Sequence, residues 1–145
     1  MSRITILSLA TGVLLAVAVV FYARQPQPAV AADAKPEATG APIVAVKTAT
    51  LSDPARIGET AFNAVCAACH GIHAAGRNGI GPPLIHKYYV PSHHGDFAFM
   101  AAVRNGVPSH HWRFGDMPPQ KGLTDGDVKS IVTYIRELQR ANGIF

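Results

Sequence analysis

Cys66-Ala67-Ala68-Cys69-His70 concentrates more chemistry in fewer residues than any other part of this chain. C-x-x-C-H is the attachment pattern of a c-type haem. Two thiols separated by two residues on one helical turn can add to the two vinyl groups of a porphyrin as thioethers. The adjacent imidazole then lies under the ring and can bind iron from one face. Cys66 and Cys69 are the only two cysteines among the 145 residues, so no structural disulfide competes for them. A thioredoxin-like dithiol calls for a βαβ context, whereas the flanks here read as helix and glycine-rich loop. A four-ligand zinc site needs a second ligand pair at zinc-finger spacing, and the adjacent pairs His93-His94 and His110-His111 fit that poorly. The spacing predicts one haem c, covalent through Cys66 and Cys69, with His70 on the iron.

Other side chains could act beside this motif. Met100 lies between Phe99 and Ala101 in an apolar helical pattern, the usual setting of a core-filling methionine. Met117 instead lies in a loop that Pro118-Pro119 would stiffen. Trp112 and Arg113 precede Met117 by five and four residues. An indole N–H and a guanidinium are both donors suited to a buried propionate; the competing reading is ordinary packing for Trp112 and a solvated Arg113. His73, His86, His93, His94, His110 and His111 form an unusual constellation. They could supply an alternative iron ligand, a copper or zinc site, or a pH-sensitive docking face. The plainer reading is polar loops near the haem edge.

Three helical segments must position these groups. The first runs from about Pro54 to Cys69, with proline near the N-terminus, where its missing N–H does no harm. Ile57, Ala61, Val65 and Ala68 fall on one face with Phe62 beside it, and Gly71 follows as a stop. The second starts with Asp96 as N-cap, runs through Arg104 and ends near Gly106. In the third, Thr124 caps, Asp127 completes a capping box, and Leu123 and Val128 form a hydrophobic staple. Val128, Ile131, Val132, Ile135 and Leu138 then make one apolar stripe, with Gly143 after the end. No hairpin of alternating strands and no internal repeat is apparent. The predicted fold class is all-α.

The rest of the chain is organised differently. Arg3 is followed by 19 uncharged residues, Ile4 to Tyr22, about 28 Å as a helix and enough to cross a bilayer core. Residues 1–23 therefore read as a signal anchor or a signal peptide. Ala29-Val30-Ala31 offers a small-x-small cleavage site. The long apolar run, and Pro26 and Pro28 ahead of that site, favour an uncleaved anchor with Arg3 in the cytoplasm. Residues 24–52 are rich in Ala and Pro and read as a linker, leaving 53–145 as one small domain. That domain is marginal for a self-sufficient core, and a covalent porphyrin would supply an apolar centre. Either N-terminal reading exports the domain to the periplasmic side of a bacterial inner membrane. The formal charge of +4 is scattered without basic runs, which gives nucleic-acid binding no support.

Over 53–145 these residues resemble class I cytochromes c. Gly58 and Phe62 precede Cys66-x-x-Cys69-His70 as in that family's N-terminal helix. Gly81-Pro82-Pro83-Leu84 looks like its G-P-x-L loop. Val103-Arg104-Asn105-Gly106 is similar to the helix end before the second ligand loop, Gly115-Asp116-Met117-Pro118 to the methionine loop, and Tyr134-Ile135 to the aromatic of the C-terminal helix. The segments 85–95 and 109–114 are richer in His and aromatics than a minimal member. The resemblance implies the cytochrome c fold, Pro82 as carbonyl partner of His70, and His70 and Met117 as axial ligands, a pairing that raises the reduction potential. It also implies a one-electron carrier between a reductase or dehydrogenase and a terminal oxidase or reductase. The alternatives are the cytochrome subunit of a stable dehydrogenase complex, or a haem sensor or enzyme with an open iron site.

Overall fold

The computed structural model describes residues 38–145; the apolar run 4–22 and the start of the linker lie outside the described residues. Among those described, no helix is long and apolar enough to cross a membrane. Among the described residues four α-helices follow one another: α1 (Asp53–Val65), α2 (Ala67–His70), α3 (Asp96–Asn105) and α4 (Asp125–Ala141). Short 3₁₀ turns occupy Ile72–Ala74 and Lys87–Tyr89. Among the described residues there is no strand, only the isolated bridges Arg77–Gly81 and Val107–Met117. The all-α expectation holds.

Helix α4 forms as its sequence dictates. Thr124 Oγ1 accepts from the Asp127 amide and the Asp127 carboxylate accepts from the Thr124 amide, closing a capping box. The stripe Val128, Ile131, Val132, Ile135 and Leu138 is buried, and so is Tyr134. This face packs on α1.

The buried face of α1 differs from the expected one. Ala55, Gly58 and Phe62 are buried, whereas Ile57 is 61% exposed. The cause is Gly58. A Cβ there would stand 1.9 Å from the Ser130 carbonyl oxygen, so only glycine lets the two backbones approach this closely. That contact selects the 55/58/62 face, and the Phe62 ring settles against Tyr134 with centroids 5.5 Å apart. Helix α1 starts at Ser52, whose side chain accepts from the Ala55 amide. It breaks at Cys66, so the motif occupies its own short turn, α2, ended by Gly71.

Two further expectations change. Asp96 is the first residue of α3, with Gly95 at the N-cap; its carboxylate accepts from Arg136 Nε at 2.8 Å instead of capping. Residues 38–52, read as linker, lie against the helical domain. Ile43 and Val44 both donate their amides to the Ala75 carbonyl at 3.1 Å. Lys47 exchanges two hydrogen bonds with the Asn142 side chain, and Val44, Val46 and Leu51 pack on the core. An extended segment held by backbone bonds carries no periodicity, which is why composition alone suggested a tether.

Candidate haem-binding site

The helices enclose a cavity of about 480 Å³, walled by apolar side chains that include Phe62, Leu84, Val103, Ile131 and Ile135. Protein interiors pack to the density of organic crystals and seldom keep voids larger than a water molecule. A cavity this large fits a sizeable apolar ligand. Cys66, Cys69, His70, Pro82, Trp112 and Met117 all line it.

Helix α2 presents the attachment residues. The Cys66 thiol is pushed up to about 11, first by burial and then by neighbouring Cys69. A redox-active dithiol works by lowering the pKa of its attacking thiol, and this environment does the opposite. His70 is 9% exposed. Its Nδ1–H donates to the Pro82 carbonyl at 2.9 Å, which fixes the ring and leaves Nε2 with a lone pair for a metal. Burial holds the ring below the ordinary histidine range and the Pro82 bond opposes this in part. The imidazole is therefore neutral and competent to ligate.

Met117 comes from the opposite part of the chain. Its amide and carbonyl both pair with Val107 at 2.9 Å, closing the 107–117 loop at its base. Gly106, at φ +74°, ends α3 and passes so close that a Cβ would lie 2.5 Å from the Met117 carbonyl oxygen. Inside the loop, the Ser109 amide donates to the Asp116 carboxylate at 2.8 Å and its hydroxyl donates to the Trp112 carbonyl. Met100 does not line the cavity; it packs on Val103, Val128 and Val132.

The predicted propionate donors separate. Trp112 Nε1 is buried with no hydrogen-bond partner, an orphan N–H that a carboxylate oxygen would satisfy. The Tyr89 hydroxyl is raised by burial and lowered in part by this nearby indole, although the pair does not reach hydrogen-bonding geometry. Arg113 is exposed and outside the cavity lining. Its guanidinium is not brought to the site because Phe114, the next residue, takes the packed position and stacks on Trp112 at 5.9 Å.

The role of Arg136 and a short repeat among the histidines escaped the sequence reading. Arg136 is buried in the middle of α4, bonded to Asp96, the Tyr89 and His94 carbonyls and Gln139 Oε1, with its guanidinium 4.9 Å from the Phe99 ring centroid. It ties α4 to the loop before α3. A single arginine next to the apolar stripe gave no signal beyond that position. The histidines, by contrast, had one: Val-Pro-Ser-His-His occurs twice, at 90–94 and 107–111, a short internal repeat. The fold brings both copies together at the cavity rim, where His94, His110 and His111 are among the lining residues. His73 stands elsewhere, 3.5 Å from the Tyr134 hydroxyl, and His86 caps the Lys87–Tyr89 turn.

The family model described as cytochrome c matches residues 55–139. The cbb3-type cytochrome c oxidase subunit CcoP of Azospirillum brasilense is 33% identical over 99 residues, covering 63% of this chain. The matched part amounts to 31% of that relative, so the chain spans about a third of its length.

Proposed function

Because the chain belongs to the cytochrome c family and so carries a covalent haem c, we propose that it is a one-electron carrier with His70 and Met117 as axial ligands. It would work on the periplasmic side of the inner membrane, between a reductase or dehydrogenase and a terminal oxidase or reductase. The observation that carries the reading is the joint presence of His70 and Met117 in one apolar cavity with Cys66 and Cys69. When bound, haem supplies reversible one-electron exchange at iron. The chain's own residues do the rest. The Pro82 carbonyl holds His70 by Nδ1, so the neutral Nε2 faces its task without a proton to lose. The Val107 pairing fixes the backbone of Met117, whose thioether is a soft donor that favours ferrous iron. His70 and Met117 would together hold the iron, which would leave no position for a substrate and would separate a carrier from an enzyme. Phe62, Leu84, Ile131 and Ile135 keep water from the buried side, and Trp112 Nε1 is available to a propionate oxygen.

Membrane attachment through residues 1–23 belongs to the same proposal. The intact protein is then expected to fractionate with membranes and resist release by high salt. A second reading rests on the CcoP relative, named as an oxidase subunit: this chain would be a bound subunit of an oxidoreductase complex. Purification as a stable hetero-oligomer would favour it.

The ligand assignment is tested by the weak sulfur-to-iron absorption of the ferric protein in the far red. Met117→Ala is expected to abolish that band, lower the potential and open the iron to CO, while Met100→Ala leaves all three unchanged. Survival of the band in Met117→Ala overturns the assignment.

A further inference from the structure

The two Val-Pro-Ser-His-His copies meet as a cluster of imidazoles. His93 Nε2 and His111 Nε2 lie 3.4 Å apart, and one ligating atom from each of His93, His94 and His111 can be chosen so that all three lie within 4.8 Å of one another. A relaxed hydrogen bond to a ring nitrogen is shorter, about 2.9–3.0 Å. For this pair the 3.4 Å spacing matches the edge of a tetrahedron: metal–nitrogen bonds of about 2.0–2.1 Å place two ligands roughly 3.3–3.4 Å apart.

The rings are also oriented as ligands are. His94 Nδ1 lies 2.6 Å from the Tyr88 carbonyl. A carbonyl only accepts, so Nδ1 carries the proton and Nε2 keeps its lone pair. Metal-bound histidines almost always use their second nitrogen in this way. Tyr88 lies flat over His111, with centroids 4.7 Å apart. Both loops are held from behind: Arg136 binds the His94 carbonyl, and the Val107–Met117 pairs close the loop bearing His111.

We propose that His93, His94 and His111 form a second metal site, at the rim of the haem cavity, for a divalent first-row transition ion. Three imidazoles without a thiolate or carboxylate suit zinc(II), whose tetrahedral shell the spacing matches, and copper(II), which the order of divalent affinities puts ahead. His93 is exposed, so the ion enters from solvent and a water completes its shell. The site is independent of the carrier reading, since it requires neither axial ligand to be correct.

The test is a titration of the purified ferric haem-loaded protein with CuCl2 and separately with ZnCl2. Calorimetry reads stoichiometry, and electron paramagnetic resonance reads nitrogen hyperfine coupling to copper. The expected result is one saturable equivalent, tighter for copper, with nitrogen coupling. The double variant His93→Ala/His111→Ala is expected to weaken binding by more than about tenfold, with haem absorption unchanged. His73→Ala, outside the cluster, is expected to bind as the parent does. Absence of a saturable equivalent, or equal binding by the double variant, overturns the proposal. So does a change of haem ligation in the double variant, because the cluster would then serve the iron.

Discussion

Where α1 crosses α4 the contact is backbone on backbone, with Gly58 against Ser130 and the Phe62 and Tyr134 rings closing the space beside it. Around the cavity rim the contact is ring on ring. His86, Tyr88, His111 and Trp112 touch edge or face at 4.5 to 5.7 Å, on two loops, one held by the buried Arg136 guanidinium and the other closed by the Val107–Met117 pairs. The crossing has no slack at Gly58, so its stability depends on shape. The rim is polar, and its order depends on satisfied hydrogen bonds. A protein that must hold a rigid apolar cavity and also present groups to solvent uses both arrangements, each where its chemistry works.

The largest expected effect comes from breaking the crossing. Gly58→Ala forces a methyl group into the Ser130 carbonyl, and both partners are backbone, so neither yields cheaply. The loss is expected at the upper end of overpacking effects, about 3 kcal/mol, read from the denaturation midpoint of the haem-loaded protein. Ile57→Ala, one residue away on the exposed face, is the control, expected within about 0.5 kcal/mol of the parent. If the two variants behave alike, shape is not what the crossing depends on.

Breaking the rim instead requires removing its guanidinium. Arg136→Met roughly keeps the volume and leaves the His94 carbonyl and the buried Gln139 Oε1 without this donor, while Gln139 Nε2 still serves the Tyr89 carbonyl at 3.2 Å. The cost is expected near 2 kcal/mol, from the roughly 1–3 kcal/mol of an unsatisfied buried group. The exposed Asp96 carboxylate adds little. Hydrogen exchange is expected to quicken at 86–96 and leave α1 protected, since the crossing does not use this residue. Uniform acceleration would mean the two regions unfold as one.

The smallest effects lie outside both regions, at the start of α4. Thr124→Ala removes the cap at a cost of about 1 kcal/mol. The Asp127 carboxyl is held below its ordinary range by hydrogen bonds from the Thr124 side chain and amide. A carboxyl depressed in the folded state stabilises fully above its unfolded pKa, and that stabilisation is lost as pH falls through the folded value. The parent should therefore lose more stability than Asp127→Asn on titration below the ordinary aspartate range. Parallel acid limbs for the two proteins would refute the assignment.

Helix α4 was legible because capping and a 3.6-residue stripe are local: Thr124, Asp127 and the apolar positions from Val128 to Leu138 encode it without reference to anything distant. The covalent motif was legible for the same reason, since two thiols and an imidazole must share one turn. The face of α1 was not, because glycine scores as nothing in a periodic pattern and acts only when another backbone arrives. Residues 38–52 were misread because their bonds to Ala75 and Asn142 span the chain and leave no local mark. Arg113 was assigned by proximity in sequence to Met117, whereas in space Trp112 and Phe114 take the packed positions and leave it in solvent.

By itself the sequence determined the helical class, the C-x-x-C-H motif, the candidate axial pair and the family. Each rests on residue types at short fixed spacing, which elementary geometry translates directly. Only the tertiary structure decided that Gly58 sets the crossing, that Trp112 and not Arg113 reaches the cavity, and that two copies of Val-Pro-Ser-His-His converge. Those outcomes depend on which distant backbones meet, and 17 residues of separation between His94 and His111 fix no distance until α3 folds between them and the Val107–Met117 pairing closes the loop.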